Sequence, residues 1–312
     1  MSKLDLKNVK WPDLEREKWE ERLQKELKIS DLKARHIILE PSIIYDPFKT
    51  KTAFEKRVIK SFPRLSYGQR FDLSDEKAQN SSILSLLKND LRVVSLNANE
   101  NTNWSEILNG VFLKLIHLDI HFSSIQAQNV FEAYKREHTQ SDNWQVSSNL
   151  SSVIINLNYK DYEGLSQVEL IQCALNDCAK VKADQIKVSL SIGEHLLKII
   201  PFIRALRLAF ESKFPDKRLF IEAECLLENI SENKNDALIK AGSVYLFCTM
   251  AGIDHLYMHH LSDPSDLDHC RLLLNVQNMM MLESRVDDKG DTLSGSYVIE
   301  DLTHQFLSMV GV

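Results

Sequence analysis

Long hydrophobic runs are missing from this sequence, and their absence excludes two classes of protein. No window approaches ~18 uncharged apolar residues, the length that a membrane-spanning helix needs. The first 27 residues scatter charges along their length and contain no apolar stretch of the kind that directs secretion. We therefore expect a protein that stays in the cytoplasm and does not insert into a membrane.

An excess of charge of one sign is also missing. The 38 basic residues are balanced by 44 acidic ones, which gives a formal net charge of -6. A protein that binds nucleic acid or an anionic membrane usually shows a basic excess. We predict neither nucleic acid nor membrane as a partner.

Paired cysteine motifs are absent as well. The five cysteines form no C-x-x-C pair, and most lie inside apolar runs. Buried, reduced thiols are the natural interpretation, which suits the cytoplasm. The cysteines are Cys173, Cys178, Cys225, Cys248 and Cys270.

The common motifs for nucleotide binding and nucleophilic catalysis do not occur. The sequence contains no G-x-G-x-x-G, no G-x-x-x-x-G-K-[ST] and no G-x-S-x-G. Glu222 and Glu224 share one face of a predicted strand, where they are either polar filling or an acid/base pair whose partner the sequence does not reveal. We assign no catalytic residue and no cofactor-binding residue.

One histidine-rich segment could bind a metal ion. In "GIDHLYMHHLSDPSDLDHC", His255, Tyr257 and His259 face one side of a predicted strand, and Asp263 and Asp266 follow in a loop. The spacing matches no known ligand motif, and histidines at a strand end often form hydrogen bonds with polar neighbours. We therefore predict no metal site.

Alternation of strand and helix is what the sequence does show. Short β-rich runs are separated by helical patterns of a dozen residues or more, which is typical of parallel β/α units. The pattern predicts an α/β fold like a TIM barrel over residues 83–312. Six strands are recognised where a full barrel has eight, so either two strands are hidden or the barrel is reduced or degenerate. The six runs are "LRVVSLNA", "IHLDIHFS", "SSVIINLNY", "DQIKVSLSI", "KRLFIEAEC" and "IDHLYMHH".

Residues 1–82 are predicted to form an arm and a connector. An amphipathic helix is expected from Asp13 to Leu27, and two short extended runs, "HIILEP" and "SIIYDP", follow as a small hairpin or connector. Trp11 and Trp19 are candidate interface residues, since aromatic side chains contribute strongly when a partner buries them. The alternative is that the helix packs on its own barrel.

The most specific string lies near the carboxyl end, in "CRLLLNVQNMMMLESRVDDKGDTLSGSYVIEDL". It resembles the end of the substrate barrel in the methylmalonyl-CoA mutase family, which reads approximately R-x-x-x-N-x-Q-x-x-x-x-E-E-S and then D-P-A-G-G-S-Y-Y-I-E. Leu282, Thr292 and Ser294 depart from that pattern. The matching residues are Arg271, Asn275, Gln277, Glu283, Ser284, Asp291, Gly295, Ser296, Tyr297, Ile299 and Glu300. We expect Gly295 to lie in a tight turn that leads into a helix beginning near Tyr297.

Further segments resemble the same family. "FIRALRLAF" is similar to its K-L-R-A-x-R-x-L-W, with Arg204 and Arg207 on the two arginines. "WPDLEREKWEERLQKELK" resembles the segment with which the family begins. If the two arginines lie at a barrel mouth, they could hold a CoA phosphate.

The resemblance implies a non-catalytic small subunit of a heterodimeric methylmalonyl-CoA mutase, an isomerase of propionate metabolism. No cobalamin domain follows the barrel in this sequence, and "NYKDYEGLS" has no histidine where the family carries its catalytic one. "LDIHFSS" imitates the Asp-x-His-x-x-Gly cobalt-ligand signature but lacks the glycine, so we interpret it as coincidence. Adenosylcobalamin would be bound by the large partner subunit.

An alternative stays open at this point. The chain could be a barrel protein that retains acyl-CoA binding, or one with a different, cobalamin-independent enzyme activity. A decayed paralogue is a third possibility.

Overall fold

The computed structural model describes most of the chain. It covers residues 15–50, 58–59, 62–71, 75–138, 144–148, 153–157, 165–192, 196–226, 233–259, 266–285 and 290–312. The strands are β1 (Ile37–Glu40), β2 (Ile43–Tyr45), β3 (Ser66–Phe71), β4 (Val93–Ala98), β5 (His117–Phe122), β6 (Gln145–Ser148), β7 (Val153–Asn156), β8 (Gln185–Ile192), β9 (Arg218–Leu226) and β10 (His255–His259). The α-helices are α1 (Arg16–Leu27), α2 (Glu76–Leu87), α3 (Trp104–Ile107), α4 (Ile125–His138), α5 (Gln167–Lys180), α6 (Leu196–Lys213), α7 (Lys234–Ala251), α8 (Leu267–Met279) and α9 (Tyr297–Val310).

Eight parallel strands form one sheet in the order β6-β5-β4-β3-β10-β9-β8-β7. In chain order β3 is the first of these strands and β10 is the last, and the two pair with each other. This pairing of first and last strands curls a run of β/α units into a barrel. Within the described ranges, β6 and β7 form no ladder with each other, so the barrel has a seam there. The predicted TIM-barrel-like α/β fold is confirmed.

The outer face of the sheet is apolar and packs against the helices. Alternate residues of each strand point outward, because the side-chain period of a strand is two. These outward residues are buried under the surrounding helices and form the main core. They include Val94, Leu96, Leu118, Ile120, Ile186, Val188, Ile221, Ala223, Leu256 and Met258.

Two barrel strands were missed from the sequence, β3 and β6. Their sequences, "SYGQRF" and "QVSS", are short and rich in polar residues, so they lack the apolar signal of the other strands. Because β3 pairs with β4 and β10, the barrel begins near residue 66. The predicted boundary at residue 83 is too late for this reason.

The amino-terminal arm is a helix followed by a hairpin. β1 and β2 pair antiparallel, as the two extended runs predicted. The hairpin is fixed to the barrel by fully buried Ile43 and by two hydrogen bonds between the Ile44 backbone and the Gln305 amide of α9, at 2.8 and 3.0 Å. In contrast, α1 contains no buried residue, and Trp19 contacts Phe48 edge-on at 6.3 Å between ring centroids.

The carboxyl-terminal string forms a tight turn between two helices. A π-helical turn, Met280–Ser284, follows α8, and α9 begins at Tyr297. Gly295 has φ of 89°, a conformation that side chains disfavour, and its N–H donates to Glu300 Oε1 at 2.9 Å. The prediction of Gly295 in a tight turn ahead of the Tyr297 helix is confirmed.

Candidate functional site

The interior of the barrel is lined by charged and polar side chains. TIM-barrel interiors are normally filled by bulky branched apolar residues, so a polar interior marks this barrel as a candidate site. Most contacts among the inward residues join different strands of the barrel. They include Ser66, Arg70, Ser95, His117, Asp119, His121, Ser147, Lys187, Glu222, Glu224, His255 and Tyr257.

Asp119 of β5 is the centre of this network. Its carboxylate accepts hydrogen bonds from Ser147 Oγ at 2.6 Å, Tyr257 Oη at 3.0 Å, Lys187 Nζ at 3.1 Å and His121 Nε2 at 3.2 Å. These donors come from four strands, β5, β6, β8 and β10. The carboxylate therefore joins opposite walls of the barrel.

The protonation of Asp119 follows from these contacts. Burial acts to raise the pKa of its carboxyl, but the hydrogen bond from His121, the Lys187 charge and the Ser147 hydroxyl together outweigh burial and hold the pKa well below its usual range. Burial and the nearby Asp119 charge raise the pKa of Tyr257, which stays a neutral donor. An anionic carboxylate that already accepts four hydrogen bonds is a poor general base.

A second set of ion pairs adjoins the first. Lys187 Nζ also contacts Glu222 Oε2 at 2.5 Å. Arg70 pairs with Glu224 at 3.0 Å and with Glu222 at 3.5 Å, and its guanidinium lies 4.9 Å from the centroid of the Tyr257 ring. Glu222 and Glu224 thus share the inward face, as predicted, and both are held in ion pairs, with Arg70 for both and Lys187 for Glu222.

Three of these residues have the spacing of a metal site. The ligand atoms of Asp119, His121 and Glu222 lie within 4.8 Å of one another. The Lys187 ammonium contacts two of the three, at the place where a cation would bind. A divalent ion would have to displace this ammonium, so the arrangement is explained by the lysine.

A cavity of about 400 Å³ adjoins the network at the amino ends of the strands. Its wall includes the first residues of β3, β4, β5, β6 and β10. Active sites of TIM-barrel enzymes lie at the opposite, carboxyl end. Its lining residues include Ser66, Arg92, Lys114, Leu115, His117, Lys187, Phe220 and His255.

The hydrogen bonds of His255 fix which ring nitrogen carries the proton. Ser66 Oγ donates to the Asp254 carbonyl oxygen at 3.0 Å, because a carbonyl can only accept. The same hydroxyl lies 2.6 Å from His255 Nδ1, so Nδ1–H must be the donor in that contact. Nε2 is then an unprotonated acceptor, and it has no hydrogen-bond partner among the described residues.

The hydrogen bonds of His117 place its ring proton on the other nitrogen, Nε2. Ser147 Oγ donates to Asp119, so His117 Nε2–H donates to Ser147 at 2.8 Å. Burial lowers the pKa of His117, and it lowers that of His255 to about 3, so both imidazoles are neutral. Sequence reasoning had placed His255 and Tyr257 on one face but had not found their partners.

The other candidate metal residues have structural roles or lie outside the described residues. Asp266 caps α8 by accepting from the His269 N–H at 3.0 Å. Ser124, the last polar residue of the "LDIHFSS" string, accepts from the Ala127 N–H at 3.1 Å in the first turn of α4. Asp263 and the side chain of His259 are not among the described parts.

The two arginines predicted to contact CoA are buried in ion pairs outside the barrel interior. Arg204 of α6 is 0% exposed and pairs with Asp291 and, at 3.4 Å, with Glu300. Arg207 donates to the Gly252 carbonyl at 2.6 Å and pairs with Asp254. The prediction of a phosphate contact is therefore wrong for Arg204, whose guanidinium is enclosed by protein. For Arg207 the contact stays a prediction, and its guanidinium already pairs with Asp254.

The matching residues of the carboxyl-terminal string divide into an inner and a surface group. The inner group consists of Asp291 and Glu300, which pair with Arg204, and of buried Gln277 and Ile299. Gly295 is exposed, although its N–H donates to Glu300. The surface group lies on α8, the π-helical turn and the start of α9. Its members are Arg271, Asn275, Glu283, Ser284 and Tyr297, which are exposed, and Ser296, which is half-buried.

The described helices give no candidate for a membrane span, since none is both long and apolar enough. The predicted interface residue Trp11 and the loop residues Asp161, Tyr162 and Gly164 fall outside the described ranges. Trp19 is half-buried, and its role at an interface stays a prediction.

Comparison with known proteins gives little further information. No protein-family model matches the chain, and no curated protein matches it. Among solved structures, the chain is similar to dihydropteroate synthase of Xanthomonas albilineans in complex with indole-2-carboxylic acid and 6-chloroguanine. That likeness has a TM-score of 0.30 and 10% identity, and it covers 72% of this chain and 94% of that one. At this level it supports no inference, and the fold rests on the strand order described above.

Proposed function

We propose that this chain is the non-catalytic small subunit of a heterodimeric methylmalonyl-CoA mutase. In this proposal it supports a cobalamin-dependent large subunit that interconverts methylmalonyl-CoA and succinyl-CoA. Adenosylcobalamin is held by the large subunit. The pair works in the cytoplasm, which the five free cysteines of this chain support.

The observation that carries the proposal is the contact between two separately matched segments. Arg204 lies in the segment "FIRALRLAF", and Asp291 and Glu300 lie in the carboxyl-terminal string. These positions are 87 and 96 residues apart in the chain, yet they form one buried ion cluster. Matches that arose by chance in two distant segments have no reason to meet in the fold.

The barrel interior supports a non-catalytic role. Asp119, Glu222 and Glu224 are the carboxylates of the described network, and each is paired with Lys187 or Arg70. Acid/base catalysis needs a group that is free to exchange a proton, and these carboxylates are already held in ion pairs. The loop where the family carries its catalytic histidine also lacks one in sequence.

Exposed apolar residues support a partner subunit. The arm hairpin presents Ile37 and Ile38, which are 54% and 72% exposed. On α8 and the π-helical turn, Leu272, Met279 and Leu282 lie on the surface beside exposed matching residues of the string. Apolar groups that the barrel does not cover are candidates for burial by a partner.

The alternative of acyl-CoA binding loses its support from the predicted arginines. Arg204 is enclosed, and both guanidinium groups already have carboxylate partners. A retained CoA site would need other residues.

The proposal is tested by co-purification with a tagged methylmalonyl-CoA mutase large subunit. Deleting the whole arm is a poor test, because the deletion would remove buried Ile43 from the core. The double variant Ile37→Thr/Ile38→Thr keeps β-branched residues in the hairpin and removes apolar surface. The matched control is Ile239→Thr on α7, where the isoleucine is 74% exposed.

We expect the wild-type chain and the Ile239→Thr control to co-purify with the large subunit, and the hairpin variant to be lost. All three chains should melt at similar temperatures, because the altered residues are exposed. Failure of the wild-type chain to co-purify would contradict the proposal. Retention of the hairpin variant would reject the arm as the interface while leaving the pairing itself intact.

A further inference from the structure

The turn after α3 contains two residues that can react with each other. Asn109 is followed by Gly110, and this is the single Asn-Gly pair in the sequence. Asparagine is one of the chemically labile residues. A backbone nitrogen can attack the side-chain amide carbon of the asparagine before it, and glycine, which has no side chain, hinders that attack least. Exposure and hydrogen bonding decide whether such a pair reacts in a folded protein.

The side chain of Asn109 is available for this reaction. Both Asn109 and Gly110 are exposed. Within the described ranges the Asn109 side-chain amide forms no hydrogen bond. A neighbouring helix contacts the main chain instead, since Asn80 Nδ2 of α2 donates to the Asn109 carbonyl oxygen at 2.9 Å. That oxygen is not one of the reacting atoms, so the contact leaves the amide carbon open to attack.

The backbone N–H of Gly110 is available as well. The residues on either side are held, because the Asn109 N–H donates to the Glu106 carbonyl at 3.3 Å and the Val111 N–H donates to the Leu108 carbonyl at 3.1 Å. In the part of the chain that the structure describes, the Gly110 N–H has no acceptor. This group must lose its proton before the nitrogen can attack. An exposed N–H that has no acceptor loses its proton more readily than one inside a helix.

Gly110 also has space around it. It has φ of 73°, a conformation that glycine adopts readily. Among the described residues, a Cβ added there would meet only two methyl carbons of Leu84, at 3.8 and 3.9 Å. These are ordinary contact distances. The backbone of the turn can therefore adjust as the nitrogen approaches the amide carbon.

Asn80 is protected from the same reaction. It precedes Ser81 inside α2. Its Nδ2 donates to the Ile107 carbonyl at 2.8 Å and to the Asn109 carbonyl. Backbone N–H groups inside a helix bond to the preceding turn, so the Ser81 nitrogen is not available for attack. Asn80 therefore serves as an internal control.

We propose that Asn109 deamidates spontaneously in the folded protein. The Gly110 nitrogen loses its proton to hydroxide and bonds to Asn109 Cγ. The Cγ–Nδ2 bond breaks, and the amide nitrogen takes a proton from water and leaves as ammonia, which regenerates the hydroxide. Water then opens the five-membered succinimide ring at one of its two carbonyls, which gives aspartate or isoaspartate. Water is the only co-reactant.

The reaction changes both charge and backbone. Either product replaces a neutral amide with a carboxylate, and isoaspartate also adds one methylene to the main chain. The site lies between α3 and β5, in the segment that leads to Lys114 and Leu115 of the cavity wall. The protein therefore acquires a more acidic form with age. The reaction depends on the turn alone and not on the proposed pairing with a mutase large subunit.

Incubation of the purified full chain for several days at mildly alkaline pH tests the proposal. A synthetic peptide of the same sequence, "SEILNGVFLK", gives the rate without the fold. Mass spectrometry of tryptic peptides follows the gain of about 1 Da when an acid replaces an amide. We expect Asn109 of the folded chain to convert within about tenfold of the peptide's rate, because an exposed turn needs little local unfolding. Asn80 should stay unchanged.

Two variants identify the source of the acidic form. Asn109→Gln lengthens the side chain by one methylene, so the ring would need six members and forms slowly. Asn101→Gln is the matched control, since Asn101 is also exposed but is followed by threonine. On ion-exchange chromatography the wild type and Asn101→Gln should accumulate the acidic form, and Asn109→Gln should not. Circular dichroism before and after incubation checks that each chain is folded.

Three results would overturn the proposal. The first is that Asn109 of the folded chain converts more than about tenfold more slowly than the peptide, which would show that the fold protects it. The second is that Asn80 converts as fast as Asn109, which would place the reaction in unfolded chains. The third is that Asn109→Gln accumulates the acidic form as the wild type does. Each of these results leaves the pairing with a large subunit untouched, since that pairing is read by co-purification.

Discussion

Replacing Arg204 by methionine should destabilise the protein strongly. The side chain is fully buried, and its two partners, Asp291 and Glu300, have side chains that are 5% and 8% exposed. Methionine fills much of the same volume but leaves two buried carboxylates without a cation. Removing one partner of a buried ion pair costs about 3–5 kcal/mol, most of it from the charge left behind.

Arg271→Met is the matched control for this prediction. Arg271 is also an arginine on a helix, but its side chain is 45% exposed and its partner Asp268 is 88% exposed, at 3.4 Å. Exposed pairs of this kind contribute about 0–1 kcal/mol. Urea unfolding at neutral pH, followed by circular dichroism, gives the free energy of unfolding of both variants, provided that the slope with urea is unchanged.

A triple variant tests the physical reason. Arg204→Met/Asp291→Asn/Glu300→Gln removes both buried charges together with the cation, and the amide oxygen that replaces the Glu300 carboxylate can still accept from the Gly295 N–H. We expect the triple variant to recover much of the stability lost in Arg204→Met. The reasoning would be refuted if Arg204→Met cost no more than Arg271→Met, or if the triple variant were as unstable as the single one.

Three other predictions follow from buried groups. Stability should fall as the pH is lowered from 6.5 toward 3, because burial lowers the pKa of His255 to about 3 and the unfolded chain then binds a proton that the folded chain does not. The loss should approach about 1.4 kcal/mol per pH unit in urea titrations, and His255→Phe should reduce this slope. Gly68→Ala should destabilise by about 1–3 kcal/mol, because a Cβ there would lie 2.5 Å from the Val93 carbonyl oxygen. Gly242→Ala is the control, because a Cβ added there would lie 3.8 Å from its nearest neighbour, Val276 Cγ1. It should cause no loss of stability in the same unfolding assay. Native protein should show one thiol that reacts rapidly with Ellman's reagent, Cys173, since the other four cysteines are buried and the pKa of Cys225 is raised to about 12. More than one fast-reacting thiol in the folded protein would contradict this.

The barrel could be predicted because its outer strand faces and its helices carry clear apolar patterns. Six strands were recognised in this way. β3 and β6 were missed because "SYGQRF" and "QVSS" present polar side chains to a polar interior, and a strand with few apolar residues resembles a loop. The turn at Gly295 was predicted from the matching string alone.

The polar interior could not be predicted from local patterns. Asp119, Lys187 and Tyr257 lie on three different strands; Lys187 and Tyr257 are 68 and 138 residues from Asp119 in the chain, and only the curled sheet brings them together. Arg204 was misassigned for a similar reason. An arginine in a helix looks like a possible phosphate ligand until its distant carboxylates are known. The polar inward positions of several strands did contain a signal, because a period of two that places polar or charged side chains on one face of several strands indicates a polar interior.

The central claim is that this chain pairs with a methylmalonyl-CoA mutase large subunit. Size-exclusion chromatography with light scattering, on an equimolar mixture of the two purified chains, measures that pairing directly. The account predicts one peak that contains both chains and has the mass of a heterodimer. Two peaks at the masses of the separate chains, with each chain folded by circular dichroism, would contradict it.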